Sequence, residues 1–269
     1  MQYSVFLCVM KIYFSKYQGT GNDFIILDNT NNVYNQLSIK QIAFLCDRKL
    51  GIGADGLIKI SIRIGFDFEV EYYNADGSQS FCGNGARCSV AFAKKLGLIA
   101  DKTEFYAIDG AHKASIENNK VRLEMLPVAS FEKVGNDFFL DTGSPHYVHF
   151  SEGDSIDVVD FGRSIRYSEK YAKDGVNVNL VETNGTDCIK VMTYERGVED
   201  ETLSCGTGVT ASALIYMFAN QGSNLKKVNV KTKGGELIVE SDRYSLANGF
   251  KNIWLTGETK HVFDGSIAI

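Results

Sequence analysis

The chain has 269 residues, of which 44% are hydrophobic and 23% charged, with a formal net charge of −5. That balance describes a soluble globular protein of one large or two ordinary domains, with apolar residues enough for a sizeable core. The acidic charge, without any lysine/arginine block, argues against a nucleic-acid surface, and no apolar run approaches the ~20 residues of a membrane span.

The opening "MQYSVFLCVM" is apolar but has no basic stretch before it and no small-residue cleavage site, so residues 1–9 are expected to be an upstream extension that the fold does not need. Met10 opens "MKIYFSKYQGTGNDF", which alternates as a strand does. Ser38 is placed to cap a helix over "IKQIAFLCDRKLG". A glycine-rich loop, "GIGADGLI", follows, and then a strand in which Phe68, Val70 and Tyr72 alternate with Glu69, Glu71 and Tyr73. "FCGNGARCSVAFAKKLG" puts Cys82 ahead of a helical run, and "IENNKVRL" signals a hairpin. Pro127 is a natural joint between a lobe over residues 10–127 and a second over 128–269, whose last strand can pack back on the first lobe.

The second lobe rewrites the first in order. "DTGSPHYVHF" matches "GTGNDFIILD", Asp160 takes the capping place of Ser38, and "KDGVNVNL" matches "GIGADGLI" with Asn177 on Asp55. "MTYERGV" matches "EYYNADG" with Glu195 on Asn74, "SCGTGVTASALIYMFAN" puts Cys205 on Cys82, and "TKGGELI" matches "IDGAHKA". The offset drifts only from 121 to 124 over these anchors, which is the mark of an internal duplication. The helix after Cys205 carries no charge on any face and is therefore expected to be buried all round. The expected fold is α+β: two pseudo-symmetric lobes, each a curled, mostly antiparallel sheet around a central buried helix, with a cleft between them.

A cysteine at a helix start faces unpaired N–H groups, which favour its thiolate and lower its pKa below ~8.5. The glycines after it let a ligand approach the backbone, whose N–H groups suit a carboxylate. A lone cysteine in such a place is usually core, but two at duplicated positions can face one ligand from opposite sides. A thiolate on one side and a thiol on the other would remove and return a proton at one carbon and so invert it. Asn22, Asn74, Asn84 and Asn177, all on matched loops, can bond ammonium or carboxylate groups, and Glu195 with Arg196 can clamp one of each. His146 reads equally as a cleft hydrogen-bonder and as a satisfied strand-end histidine. Cys8, Cys46, Cys88 and Cys188 read as core or passive. With no CxxC pair and no secretory context, reduced thiols in a cytoplasmic protein are expected rather than disulfides or structural zinc.

The blocks "GTGNDF", "YYNADGSQSFCGNGAR", "TGSPHYV", "YERGVEDETLSCGTG" and "TGETKHVFDG" resemble the diaminopimelate epimerase family from about Met10 to the end of the chain. The resemblance implies interconversion of LL- and meso-diaminopimelate for lysine and peptidoglycan synthesis, with no cofactor and no metal. It also implies Cys82 and Cys205 as acid and base, with His146 and Glu195 beside the reacting centre. Asn22, Asn74, Gly83, Asn84, Asn177, Glu195, Arg196, Gly206 and Thr207 would contact substrate. Many members carry glutamine at the place of Gly56 and asparagine at that of Ser144, so those two contacts should differ. The only expected partner is a small amino acid. A homodimer is compatible with the sequence, although no apolar stripe dictates one. Two rival readings are a sister racemase of the proline or hydroxyproline type and a thiol redox protein pairing Cys82 with Cys205. A third is a non-catalytic anion-binding module, which would have no need of both thiols.

Overall fold

A computed structural model describes residues 10–151, 153 and 156–269. The expectations for residues 1–9 and for Cys8 lie outside the described residues. The first half of the chain runs β1 (Lys11–Gly19), β2 (Asn22–Asp28), α1 (Ile39–Cys46), β3 (Gly56–Ser61), β4 (Glu69–Asn74), α2 (Gly83–Lys95), β5 (Lys102–Ala107), β6 (Gly110–Glu117) and β7 (Lys120–Met125). The second runs β8 (Glu132–Val134), β9 (Asp137–Asp141), β10 (Pro145–Ser151), α3 (Val158–Arg166), β11 (Asn177–Thr183), β12 (Cys188–Glu195) and β13 (Asp200–Thr202). It continues through α4 (Gly206–Ala219), β14 (Lys227–Thr232), β15 (Gly235–Glu240), β16 (Ile253–Glu258) and β17 (Lys260–Ala268).

The duplication is visible in the strand pairing. From β1 to β7, successive neighbours pair antiparallel, parallel, antiparallel, parallel, then antiparallel twice. The series β9, β10, β11, β12, β14, β15, β16 repeats that order. Two further antiparallel pairings, β16 with β7 and β17 with β1, join the lobes into one sheet. Each lobe curls its sheet around one helix, α2 or α4. In α4, Val209 to Met217 are all buried, which is why the sequence there carries no charge. Gly234 shows how closely the lobes meet: a Cβ there would lie 1.9 Å from the Thr20 carbonyl oxygen of the β1–β2 turn.

Two local expectations change. Ser38 does cap α1, reinforced by Gln41 in a capping box. In the second lobe, however, the cap is Asp157, not Asp160, because the Asp157 carboxylate accepts from the N–H groups of Val159 and Asp160 and leaves Asp160 in the first turn. The strand registers also move one match by a residue. Phe24 of β2 pairs with Gly56, as His146 of β10 pairs with Asn177, so the counterpart of Asn177 is Gly56 rather than Asp55.

Candidate active site between the lobes

Cys82 and Cys205 occupy the N-cap positions of α2 and α4, both with extended backbone, at the inner ends of the two central helices. They face a common cleft of about 880 Å³. Asn22, Asn74, Gly83, Asn84, Asn177, Glu195, Arg196, Gly206 and Thr207 line it as well. Among the predicted residues, His146 does not: it is wholly buried behind Thr207. A separate groove of about 530 Å³, between the Thr20 turn, Gly234 and Gly257, contains neither Cys82 nor Cys205.

Around Cys82 the hydrogen bonds have a readable direction. The Asp55 carboxylate can only accept, so it holds the Asn22 amide by Nδ2 at 2.6 Å and turns Oδ1 toward the cleft. There Oδ1 accepts from Asn84 Nδ2 at 3.2 Å and from the Cys82 thiol at 3.6 Å, while the Gly85 N–H donates to Cys82 Sγ at 3.4 Å. Asn84 Nδ2 also donates to the Ser204 carbonyl of the other lobe at 3.1 Å, which ties the two helix starts together. Asn84 Oδ1 is buried and has no partner among the described residues. In the second lobe the Asn177 amide donates to Ser144 Oγ at 2.8 Å and accepts from the Arg196 N–H at 2.9 Å, fixing the turn that carries Glu195.

The thiols do not behave as a helix start alone would dictate. Burial pushes Cys82 up to about 11, against the Gly85 N–H, and Cys205 up to about 12, with the Glu195 charge adding to the rise. Desolvation outweighs the helix-start amides, so each thiol keeps its proton at neutral pH. Burial also pushes the Glu195 carboxyl up.

Burial, with the Arg196 charge nearby, lowers His146 from 6.5 to about 3, so its imidazole is neutral. An unfolded chain binds a proton at this position below about 6.5, whereas the folded chain resists it down to about 3. The stabilisation due to neutral His146 is therefore complete above the upper value and lost as pH falls toward the lower. Urea unfolding followed from about pH 7 to about pH 4 should show stability falling through this window, and His146→Gln should flatten the slope. A slope that the substitution leaves unchanged would contradict the burial of a neutral ring.

Three residues with a place in or near the site escaped the sequence reading. Tyr72 lines the cleft, and Gly56 exists to admit its ring: a Cβ at Gly56 would lie 2.4 Å from Tyr72 Cε2 and 2.6 Å from the Tyr73 carbonyl. A glutamine side chain at this place would not fit beside this tyrosine. Gly56→Ala should cost about 1–3 kcal/mol by overpacking, read as a lowered unfolding midpoint. Arg87, in the quoted "CGNGAR", is wholly buried; Nη2 donates to Thr20 Oγ1 at 3.3 Å, and Nε and Nη1 have no partner among the described residues. Its charge draws Cys82 downward, a smaller influence than burial. Asn179 of β11 is the third.

The two-lobed α+β fold is one that solved structures of otherwise distant sequence share. A PhzF-family phenazine biosynthesis protein of Bacillus anthracis superposes with a TM-score of 0.74 at 11% identity, over 97% of this chain and 100% of that one. A hydroxyproline epimerase from Agrobacterium vitis superposes at 0.69 with 12% identity, over 100% and 94%. Within that architecture, the sequence profile described as diaminopimelate epimerase matches residues 14–128 and 138–260, one segment in each lobe. The diaminopimelate epimerase of Flavobacterium psychrophilum is 47% identical over 96% of this chain and all of its own length. That of Chlorobaculum tepidum is 38% identical over 93% of this chain and 99% of its own. The chain belongs to the diaminopimelate epimerase family.

Proposed function

We propose that this protein interconverts LL- and meso-diaminopimelate by a two-base inversion without a cofactor, supplying lysine and peptidoglycan synthesis from the cytoplasm. The observation that carries the reading is the placement of Cys82 and Cys205 as caps of two duplicated helices on one cleft. One sulfur, as thiolate, takes the α-proton; the thiol on the other face gives its proton to the α-carbon and becomes the thiolate. The exchange leaves the enzyme one proton transfer from its starting state, with no net gain or loss.

The N–H groups at the starts of α2 and α4 suit the α-carboxylate, where negative charge grows as the proton leaves. Glu195 and Arg196, at the end of β12, suit the ammonium and carboxylate groups of an amino acid, and Asn22, Asn74, Asn84 and Asn177 its remaining donors and acceptors. The raised thiols imply that the substrate's own ammonium helps to draw one of them into the thiolate. Incubation of the reduced protein with LL-diaminopimelate, with the stereoisomers then separated by chiral chromatography, should show meso product approaching an equilibrium mixture. No meso product from fully reduced protein would overturn the reading.

A homodimer through β17 is part of the proposal. Among the described residues that nine-residue strand pairs with β1 alone, and it exposes Val262 and Phe263. Self-complementary edge pairing would cover this surface. Light scattering that returns a monomer would remove the dimer without touching the chemistry.

A further inference from the structure

The duplicated fold contains its own comparison. Gly85 and Gly208 hold the same position in α2 and α4, three residues after the cysteine. A Cβ on Gly85 would meet Ile58 and Phe24, an apolar wall at 3.3–3.5 Å. A Cβ on Gly208 would instead lie 2.3 Å from Asn179 Oδ1 and 3.2–3.3 Å from the His146 ring. By strand register His146 stands where the first lobe has Phe24, and Asn179 where it has Ile58. One lobe has thus placed two polar, wholly buried side chains where the other has two apolar ones. Buried polar groups are costly unless fully bonded.

They are fully bonded, and the bonds run one way. The Tyr147 carbonyl can only accept, so the group 3.0 Å from it is Asn179 Nδ2, and Asn179 Oδ1 accepts from Thr193 Oγ1 at 2.9 Å. The same Nδ2 lies 3.0 Å from His146 Nδ1, which must therefore accept. The neutral ring then carries its hydrogen on Nε2, 2.9 Å from Thr207 Oγ1. Because it accepts that N–H rather than donating to the ring, the Thr207 hydroxyl keeps its own hydrogen free for Cys205 Sγ at 3.4 Å, a contact in which either atom can donate and in which a thiolate can only accept.

We propose that Asn179, which does not line the cleft, is a positioning residue for the reaction. Pinned by Thr193 and the Tyr147 carbonyl, it sets the His146 tautomer and so leaves the Thr207 hydroxyl free to donate to the Cys205 sulfur as that sulfur becomes a thiolate. The proposal rests on the epimerase reading only for its kinetic consequence. Cys82 has no such chain among the described residues; the side-chain oxygen it bonds is the accepting Asn22 Oδ1. The donated bond favours the Cys205 thiolate against burial and the Glu195 and Cys82 charges facing it. The charge near His146 is the Arg196 guanidinium, which favours the neutral ring on which the relay depends.

The test uses ¹⁵N-histidine NMR, with alkylation of each cysteine followed against pH by peptide mass spectrometry, on the native protein, Asn179→Asp and Thr193→Val. The native His146 should show the Nε2–H form. Asn179→Asp, which presents acceptors to Nδ1, should move it to the Nδ1–H form. Thr193→Val, close in shape to threonine, takes the donor from the buried Asn179 Oδ1 at some cost in stability and should give a mixture in the folded variant. In both variants alkylation of Cys205 should shift to higher pH while that of Cys82 stays. kcat should fall about 10- to 100-fold, the scale on which residues behind a reactive group act, with KM within about threefold. An unmoved His146 tautomer in a folded variant, or equal shifts of both cysteines, would overturn the proposal. Native protein that leaves diaminopimelate unchanged would defeat the proposed function alone, because the tautomer and alkylation readings need no substrate.

Discussion

Cys82→Ala and Cys205→Ala are each expected to abolish interconversion of the diaminopimelate isomers, by at least about 10³-fold in kcat/KM, with the fold intact. The size follows from the division of labour. Inversion needs proton removal on one face and delivery on the other, and each sulfur is the side chain at its own helix cap. The side chains bonded to the two sulfurs, Asn22 and Thr207, are not bases and cannot take over the proton transfer of a lost thiol. Neither substitution removes a capping bond on which a helix depends: Cys205 makes none, and Cys82 accepts one long bond from Gly85. Cys88→Ala is the control. That thiol is wholly buried within α2 and away from the cleft, so activity should stay within about twofold. Activity lost by one cap variant and kept by the other would contradict the two-base account.

The second large effect is expected at Gly208. An alanine there puts a methyl group 2.3 Å from Asn179 Oδ1 and against the His146 ring. Both are buried and hydrogen-bonded, so the relay has to break for the helix to stay, or the helix start has to move with Cys205. We expect a loss of about 1–3 kcal/mol in stability and of about 100-fold in kcat. Gly85→Ala supplies the matched comparison, because Ile58 and Phe24 present carbon atoms at ordinary to slightly tight distances. Helix propensity offsets that crowding, so its stability should change by less than about 1 kcal/mol. Thermal unfolding and initial rates measured on both variants would separate them. Equal losses would mean that the polar pair behind α4 has no special role.

The contrast between these glycines also shows what could be read in advance. Both Cys-Gly-x-Gly stretches were legible because capping chemistry is local, and their spacing disclosed the duplication and with it the cleft. The buried character of α4 was legible from the absence of charge. The sign of the cysteine shifts was not: the favourable helix start is written in sequence, whereas the desolvation that outweighs it depends on how tightly two lobes close. Tyr72 looked like one more inward strand residue, and only the distance to Gly56 reveals that glycine and tyrosine form one fitted pair. His146 was ambiguous because strand alternation gives a face but no partner. Asn179 left a faint signal, since Asn177 and Asn179 alternate with valines in "VNVNL", two asparagines on one face of an otherwise apolar strand. Such a pair demands bonded partners, and naming them required the register of β10 on β11. The cap of α3 slipped by one turn because Asp157 and Asp160 both satisfy the local rule.

The most direct test of the central claim is proton NMR of LL-diaminopimelate with the reduced protein in D₂O, followed from the earliest turnover. Two thiols on opposite faces predict deuterium at the inverted α-carbon of the meso product while unconverted LL substrate keeps its α-proton. Deuterium entering the LL pool as fast as the meso product would mean that one group exchanges a single face, and the account built on Cys82 and Cys205 would fail.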